Sequence, residues 1–435
     1  MDIESLYGLY LSCGGRVTTD SRSIEGGEIF FALKGENFDG NDYALQALDK
    51  GACYAVADRA GLPDRDGLVK VEDSLKALTE LATWHRAHVR GGELRVLGLT
   101  GTNGKTTTKN LIREVLSCRY DVCATEGNLN NDIGVPLTLL KIRPENDFAI
   151  VEMGANHPDD IEKLVKVCRP DCGLITNVGK AHLLGFGSFE GVKHAKGALY
   201  RWLAGRSGSI VFLNEDDADL RGMASSLPCH IFPYGVKYQG AEILPCDAEH
   251  PFLALRLGGD VIRTHFVGAY NAANVLAALA VGERFGVCRS DAIRAVESFV
   301  PANNRSQMMR GKRNSVIVDA YNANPSSMAA ALDNFRAVIS PRKVVMLGDM
   351  RELGADSLQE HVAVLERLIS DGLEAYLVGE EFGRALAQVE APSGWKWFGT
   401  SAQLASSLET EPVEGAMVLV KGSRGIQMEK VLPLL

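Results

Sequence analysis

The strongest constraint on the fold comes from residues 97–108, which read Leu-Gly-Leu-Thr-Gly-Thr-Asn-Gly-Lys-Thr-Thr-Thr. An apolar run precedes the glycines and a run compatible with a helix begins at Lys105, so the pattern predicts a strand, a tight turn and a helix. Backbone N–H groups of such a turn and of the helix N-terminus cradle phosphate groups. In this arrangement Lys105 reaches the β- and γ-phosphates of a nucleotide, and the Thr106 hydroxyl binds Mg²⁺.

The loop departs from the usual phosphate-binding pattern at its first glycine, because Leu99 stands at that position. A short string of glycine, lysine and threonine also occurs in ordinary turns between a strand and a helix. The strand before it, the helix after it and the three successive threonines favour nucleotide binding over that purely structural interpretation.

Composition narrows the class of protein. The chain has 435 residues, 46% of them hydrophobic, which predicts two to four domains at about 100–200 residues each. No apolar run approaches the roughly 18 residues that span a bilayer, and the N-terminus lacks the features of a signal peptide. The nine cysteines lack metal-binding spacing and fit a reduced cytosol. A net charge of −9 argues against a nucleic-acid partner but allows local basic pockets. We therefore expect a cytoplasmic protein without a membrane span.

We predict three domains, comprising residues 1–90, 91–303 and 304–435. Residues 89–93 and 301–305 are the predicted linkers, since glycine, proline, asparagine and charged residues gather there. The first domain combines short strands with a helix over residues 74–88. Near the end of the second domain, the sequence predicts a hairpin that turns at Gly258 and Gly259 and a helix over residues 271–285. Strands alternate with helices in the second domain and in the third, where strands are predicted at 316–319, 343–347, 375–378 and 416–420. This alternation favours βαβ units, mostly parallel sheets and an α/β fold class. Ligands of such sheets bind at the carboxyl ends of the strands.

Polar residues follow the predicted strands of the second domain. Glu152 ends an apolar strand, where it suits the hard-oxygen contact that a nucleotide-bound Mg²⁺ requires; the alternative is a solvated strand end. His182 follows the next strand, but a lone histidine is more often a structural hydrogen-bonding group, and Mg²⁺ prefers oxygen. Lys196 lies on a predicted helix, and its spacing alone indicates only a surface lysine.

Amide side chains form two further groups. Asn271 and Asn274 lie three residues apart on one predicted helix face, where they could contact adenine; Asn271 also suits an N-cap, and both roles are compatible. Asp319, Asn322 and Asn324 follow a strand of the third domain, in numbers that exceed what helix capping needs. Together with the strand ends at 347–354 and 421–424, they predict a binding rim on one edge of the sheet.

Together these motifs resemble the Mur ligases, the ATP-dependent amide-forming enzymes of peptidoglycan precursor synthesis, over essentially the whole chain. The resemblance implies a small N-terminal α/β substrate domain, a central P-loop ATPase-like domain and a C-terminal Rossmann-like domain. It also implies ATP, two Mg²⁺ ions and a carbamylated lysine. The implied ATP-binding residues are Gly101, Thr102, Asn103, Gly104, Lys105, Thr106, Thr107, Asn271, Asn274, Arg305 and Asp319. The implied metal-binding residues are Thr106, Glu152, His182 and Lys196 as its carbamate, and the implied catalytic residues are Lys105, Lys196, His182 and Arg305.

The motifs at 319–325 and 347–354 resemble the branch of the family that adds D-alanyl-D-alanine to UDP-N-acetylmuramoyl-tripeptide. Those at 19–22, 30–35 and 38–40 resemble the family's UDP-sugar-peptide domain. The implied substrate residues are Ser21, Arg22, Lys34, Asp39, Asn130, Asn131, Tyr321, Asn322 and Asn324. Three residues depart from the family pattern: Tyr270 replaces a histidine, Ala198 an acidic residue and Leu184 a glutamate. We expect the last two changes to alter only the support of the metal ligands.

The implied activity is ligation through an acyl phosphate with release of ADP and phosphate, by a protein expected to be a monomer. The sequence leaves open whether the tripeptide ends in meso-diaminopimelate or L-lysine. A related ligase such as a folate polyglutamating enzyme is one alternative, although it would lack the Asn-Ala-Asn-Pro string. A non-catalytic nucleotide-binding switch is another, although it would need neither a polar rim nor a set of metal ligands.

Overall fold

The described residues form three mainly parallel sheets in succession, with a small antiparallel sheet between the second and the third. The computed structural model describes residues 1–35, 37–245, 251–301 and 304–435. Residues 302 and 303 of the predicted second linker lie outside the described residues, so the domain boundaries stay predictions. The α/β fold class is confirmed by the parallel pairing of the strands.

The first sheet has four parallel strands in the order β1-β2-β3-β4. Its strands are β1 (Val17–Thr18), β2 (Ile29–Phe31), β3 (Tyr54–Ala57) and β4 (Leu68–Lys70), and its helices are α1 (Ile3–Ser12), α2 (Ala44–Asp49) and α3 (Ser74–His88). The helix predicted over 74–88 is confirmed, and Asp73 caps it by accepting a hydrogen bond from the backbone N–H of Lys76.

The central sheet has six parallel strands in the order β10-β9-β8-β5-β7-β6. They are β5 (Arg95–Thr100), β6 (Val122–Ala124), β7 (Phe148–Glu152), β8 (Cys172–Ile175), β9 (Ile210–Asn214) and β10 (His230–Tyr234). The helices of this region are α4 (Lys105–Ser117), α5 (Gly134–Leu140), α6 (Asp160–Cys168), α7 (Leu183–Phe186), α8 (Phe189–Ala204) and α9 (Ala218–Ala224). The predicted strand, turn and helix around the phosphate loop are present as β5, the loop 101–104 and α4.

A predicted hairpin around Gly258 and Gly259 is confirmed. The strands β11 (Glu242–Ile243), β12 (Ala254–Leu257) and β13 (Asp260–Arg263) form the antiparallel sheet, with β12 paired to both neighbours. Two helices follow, α10 (Ala272–Arg284) and α11 (Arg289–Ser298). Helix α10 matches the prediction of a helix over 271–285.

The third sheet has the order β14-β15-β19-β16-β17-β18, in which only β14 is antiparallel to its neighbour. Its strands are β14 (Gln307–Arg310), β15 (Ser315–Asp319), β16 (Lys343–Gly348), β17 (Glu374–Val378), β18 (Lys396–Phe398) and β19 (Met417–Lys421). Its helices are α12 (Pro325–Ala337), α13 (Ser357–Ser370), α14 (Glu380–Leu386) and α15 (Ser401–Thr410). The polar motifs at 319, 347–354 and 421–424 therefore lie at the carboxyl ends of neighbouring parallel strands, as predicted.

The core fixes β5, and with it the phosphate loop. Side chains of a strand alternate between the two faces of its sheet. Val96 packs into a cluster with Leu78 of α3, whereas Leu97 and Leu99 pack on the other face with α4 and α10. Because β5 is central and covered on both faces, the phosphate loop at its carboxyl end is held in a fixed position. Among the described residues, none of the helices is long and apolar enough to cross a membrane.

Candidate active site

The phosphate loop needs glycine at two positions. Gly101 and Gly104 have φ angles of 149° and 79°, which side chains other than glycine rarely adopt. A Cβ atom on Gly101 would lie 1.9 Å from Thr176 Oγ1, and one on Gly104 would lie 2.8 Å from Asn274 Oδ1. The loop therefore packs against the residue that follows β8 on one side and against α10 on the other, and only glycine fits at either contact.

Lys105 is the first residue of α4 and folds over the loop. Its ammonium group donates to the carbonyl oxygens of Gly101 and Thr102, at 2.9 and 3.1 Å. Burial lowers the pKa of Lys105, the Glu152 carboxylate opposes this shift, and the charge of Arg305 adds to it. Lys105 is thus a cation held at the loop by two neutral carbonyls, and an anion bound there would stabilise its charge.

Glu152 ends β7 and is 1% exposed. Its Oε1 accepts hydrogen bonds from Thr106 Oγ1 at 3.2 Å and Asn130 Nδ2 at 2.9 Å. Its Oε2 has no hydrogen-bond partner among the described residues and lies 3.8 Å from Lys109 Nζ. A buried carboxylate oxygen without a partner, next to a threonine hydroxyl, fits a hard cation such as Mg²⁺. The solvated strand end considered for Glu152 is wrong.

Lys109 is a residue that the sequence reasoning did not single out. It is 2% exposed, and its Nζ donates to the Thr125 carbonyl at 2.5 Å while facing Glu152. The available signal was its spacing, because residues four apart on α4 share a helix face and Lys109 follows Lys105 by four. Glu152 is therefore paired with Lys109, and its charge also acts on Lys105 one turn earlier on the same helix.

Lys196 is buried on α8, so the surface interpretation is wrong. It is 2% exposed, and its Nζ donates to the Gly101 carbonyl at 3.1 Å. Burial, followed by the charge of Lys105, lowers the pKa of Lys196 well below its ordinary value. A buried amine with a depressed pKa is neutral in a larger fraction of molecules, and the neutral amine is the form that reacts with carbon dioxide.

His182 lies just before α7, in the left-handed region at a φ of 52°. Its Nδ1 contacts a carboxylate oxygen of Glu352, which follows β16 in the third sheet and is itself at a φ of 65°. Burial lowers the pKa of His182, and the Glu352 carboxylate opposes that shift. This contact joins the central and third sheets, and it orients the imidazole, as carboxylates do for metal-binding histidines.

Asn271 and Asn274 lie behind the loop, and both are buried. The side chain of Asn271 makes no capping hydrogen bond; its Nδ2 donates instead to the Val267 carbonyl at 3.0 Å, so the side-chain N-cap interpretation is wrong. Asn274 donates to Asn271 Oδ1 and accepts from Thr108 Oγ1, both at 3.0 Å. The pair therefore anchors α10 to α4, and its contact with adenine stays a prediction.

Asp319 and Asn322 lie at the end of β15, where Lys421 engages both. Lys421, which ends β19 and is 1% exposed, donates to Asp319 Oδ2 at 2.6 Å and to the Asn322 carbonyl at 3.0 Å. The side-chain oxygen of Asn322 accepts from the N–H of Ala323 at 2.9 Å.

Arg305 stacks on the ring of Tyr321, with its Cζ 3.5 Å from the ring centroid.

Asn324 connects the third sheet to the phosphate loop. It is the N-cap of α12 and forms a capping box with Ser327. Its Nδ2 donates to Asn103 Oδ1 at 2.9 Å. Its amide is thus engaged on both sides, which favours a role in capping and in contact with the loop over binding of the incoming dipeptide.

We expect Asn324→Ala to lower the stability of the protein by about 1 kcal/mol, the usual cost of losing an N-cap. We also expect it to raise the KM for ATP, because the loop loses its contact with α12. Thr400 forms a capping box on α15, so Thr400→Ala is the matched control that should lower stability alone. Thermal unfolding and steady-state kinetics measure both effects, and identical kinetics for the two variants would contradict a role for the Asn103 contact.

The predicted substrate residues of the N-terminal region pair locally. Arg22 forms an exposed ion pair with Asp20 at 2.8 Å, and Lys34 pairs with Asp58 at 2.9 Å. The carboxylate of Asp39 accepts from Arg59, and the Ser21 carbonyl accepts from Lys50. Asn131 accepts from the N–H of Gly134. Of the predicted substrate residues before the third sheet, Asn130 is the one that the structure brings to Glu152.

Among the described residues, no group of three or more histidine, cysteine, aspartate and glutamate side chains is arranged to hold a metal ion. The Thr106 hydroxyl and the Glu152 carboxylate lie together, and such a pair, with water and phosphate oxygens, is the kind of ligand set that Mg²⁺ favours in nucleotide sites. The eight cysteines within the described ranges are free thiols.

Three family models match this chain in order. They are the Mur ligase family catalytic domain over residues 16–86, the Mur ligase middle domain over 99–282 and the Mur ligase glutamate ligase domain over 304–424. The chain therefore belongs to the Mur ligase family. Its similarity to the dipeptide-adding branch is confirmed by relatives named UDP-N-acetylmuramoyl-tripeptide–D-alanyl-D-alanine ligase. One from Escherichia coli K12 is 35% identical over 96% of this chain and 92% of its own length, and one from Bacillus subtilis 168 is 30% identical with the same coverage.

Solved structures give the same result. MurF from Acinetobacter baumannii is 31% identical, with a TM-score of 0.84 over 98% of this chain and 97% of its own. MurF ligase from Thermotoga maritima in complex with ADP is 26% identical, with a TM-score of 0.83 over 96% of each chain. The three-domain Mur ligase fold is confirmed by these similarities.

Proposed function

We propose that this protein is an ATP-dependent ligase that joins D-alanyl-D-alanine to UDP-N-acetylmuramoyl-tripeptide in peptidoglycan precursor synthesis, releasing ADP and phosphate. The observation that carries the proposal is the glycine-dependent phosphate loop beside the partnerless carboxylate oxygen of Glu152. The MurF relatives over nearly the whole chain supply the identity of the substrates.

The chemistry follows from the reluctance of a carboxylate to react with an amine. Transfer of the γ-phosphoryl group of ATP to the tripeptide carboxylate gives an acyl phosphate, and attack by the dipeptide amine then releases phosphate. Phosphoryl transfer depends mainly on positioning and charge stabilisation. We assign charge stabilisation to Lys105 and Arg305, and orientation of the nucleotide to the loop 101–107. A dry, closed cleft protects the acyl phosphate from water.

We propose that Thr106, Glu152, His182 and carbamylated Lys196 hold two Mg²⁺ ions. Bound there, the metal ions would neutralise charge on the transferring phosphoryl group. Asn130 and Lys109 support Glu152 by hydrogen bonding and by charge, and Glu352 orients His182. We further propose domains at 1–90, 91–303 and 304–435, a monomeric state and a cytoplasmic location.

A folate polyglutamating ligase is the main alternative within the fold. A folylpolyglutamate synthase from Mycobacterium tuberculosis is only 15% identical, with a TM-score of 0.61, so it shares the fold alone. The Asn-Ala-Asn-Pro string at 322–325 and the MurF relatives favour the dipeptide ligase.

We expect Mg²⁺-dependent cleavage of ATP to ADP and phosphate only when both the nucleotide tripeptide and D-alanyl-D-alanine are present. The reason is that the acyl phosphate forms on one substrate and is consumed by the other. Phosphate release and mass spectrometry of the product measure this, and parallel assays with the meso-diaminopimelate and L-lysine tripeptides identify the preferred substrate. Formation of AMP and pyrophosphate would contradict the proposal, because those products belong to an adenylating mechanism.

A further inference from the structure

Two arginines lie over the Tyr321 ring, and a third packs beside one of them, near the carboxyl ends of the third sheet. The Cζ atoms of Arg305 and Arg424 lie 3.5 and 5.8 Å from the centroid of the Tyr321 ring. Arg351 packs on the backbone of Gly425, the residue after Arg424, and donates to its carbonyl at 3.5 Å. We call Arg305, Arg351 and Arg424 the arginine rim.

The acidic side chains next to the arginine rim are engaged elsewhere. Asp319 pairs with Lys421 at 2.6 Å, and Glu352 contacts His182. Asp349 accepts from the N–H groups of Glu381 and Phe382 at the start of α14. Within the described ranges, no rim arginine has an acidic partner at ion-pair distance. A chain with a net charge of −9 thus carries uncompensated positive charge at this point, which favours an anionic ligand.

The three rim arginines differ in what they face. Arg305 precedes Ser306, whose hydroxyl hydrogen-bonds with that of Tyr270 at 2.8 Å, beside Asn271 behind the phosphate loop, so Arg305 lies on the phosphate side of the cleft. Arg351 and Arg424 are exposed; Arg424 lies farther from the Tyr321 ring than Arg305 does, and Arg351 packs beside Arg424 at Gly425. Since Asn322 and Asn324 already use their side chains within the protein, Arg351 and Arg424 are the charged donors available to a second ligand.

We propose that Arg351 and Arg424 bind the free carboxylate of the incoming dipeptide. The guanidinium group matches a carboxylate in two parallel hydrogen bonds, which gives both binding energy and orientation. Binding at the carboxylate end leaves the amine of the dipeptide free to point across Tyr321 toward the phosphate side. This inference rests on the proposed function and adds a substrate preference to it, because the two arginines would select peptide nucleophiles that end in a free carboxylate.

The test compares D-alanyl-D-alanine with its C-terminal amide, D-alanyl-D-alaninamide, in steady-state kinetics. The wild type should show a KM for the amide about 10-fold or more above that for the dipeptide. Arg424→Gln and Arg351→Gln should raise the KM for the dipeptide by a similar factor and leave the KM for the amide unchanged. The KM for ATP should stay within about twofold, and Arg424→Lys should recover part of the loss.

Arg310→Gln is the matched control, because Arg310 is an exposed arginine of β14 outside the rim. All the substituted side chains are exposed, so the variants should fold, which circular dichroism verifies. A variant that raises the KM for ATP but not for the dipeptide would mean that the rim binds a nucleotide phosphate, and it would overturn the inference. Equal use of the amide and the acid by the wild type would also overturn it. A wild type that makes no product from D-alanyl-D-alanine would overturn the proposed function, and this inference with it.

Discussion

Replacement of Lys105 by alanine is expected to reduce turnover at least about 100-fold, or about 3 kcal/mol of transition-state stabilisation. The ammonium group of Lys105 rests on the carbonyls of Gly101 and Thr102, where the phosphates of a nucleotide would bind. Charge grows on the transferring phosphoryl group in the transition state, and a fixed cation stabilises it more than it stabilises the ground state. The fall should therefore appear mainly in kcat, measured by phosphate release at saturating substrates.

The matched control is Lys163→Ala, which removes an exposed lysine of α6 from the same region. It should leave turnover unchanged. Thermal unfolding must show that Lys105→Ala is folded, since removal of a half-buried cation should not unfold the protein. Near-normal turnover in folded Lys105→Ala would reject the assignment of Lys105 to the phosphates.

Lys196→Ala is expected to cause a comparably large loss of turnover, about 100-fold or more. A carbamate forms when the neutral Nζ attacks carbon dioxide, with loss of a proton, and this converts a buried amine into an anion suited to Mg²⁺. The depressed pKa of Lys196 favours the reacting form at neutral pH. Acetate should restore part of the activity by supplying a carboxylate in the vacated space, whereas Lys196→Arg should stay inactive.

Lys193 supplies the control, because it lies on the same helix and is ion-paired at the surface with Glu190 and Asp219. Lys193→Ala should retain activity. With ¹³C-labelled bicarbonate, the wild type and Lys193→Ala should show a carbamate carbon signal by NMR that Lys196→Ala lacks. Full activity of Lys196→Ala without acetate would contradict the carbamate and leave Lys196 with a structural role only.

Much of the fold could be predicted because central parallel strands are short apolar runs bounded by glycine and polar residues. The strands at 316–319, 343–347, 375–378 and 416–420 were predicted within one or two residues of β15, β16, β17 and β19. Edge strands were missed, namely β6, β10, β14 and β18. Each is half-exposed over most of its length, so neither a continuous apolar run nor a clear alternation marks it.

Prediction of the site was less complete, because its contacts join residues far apart in the chain. Helical spacing places Lys196 on α8 but does not show that its end reaches the carbonyl of Gly101. Likewise, nothing local to His182 indicates that Glu352 of the third sheet contacts it. Pro325 indicates that a helix begins there and that Asn324 caps it. The hydrogen bond from Asn324 to Asn103, however, depends on how the third sheet packs against the central sheet.

The buried lysines around Glu152 have a consequence for how this protein can evolve. Lys109 and Lys196 are each 2% exposed, and Lys105 is close enough to lower the pKa of Lys196. Buried amines and cations weaken a fold unless they are fully hydrogen-bonded or paired, so apolar substitutions here would raise stability while abolishing the site. Selection for robustness and selection for turnover therefore oppose each other at these positions. A nucleotide whose phosphates pair with Lys105 relieves the conflict only while it is bound, so the enzyme should resist heat and proteolysis best when its substrate is abundant.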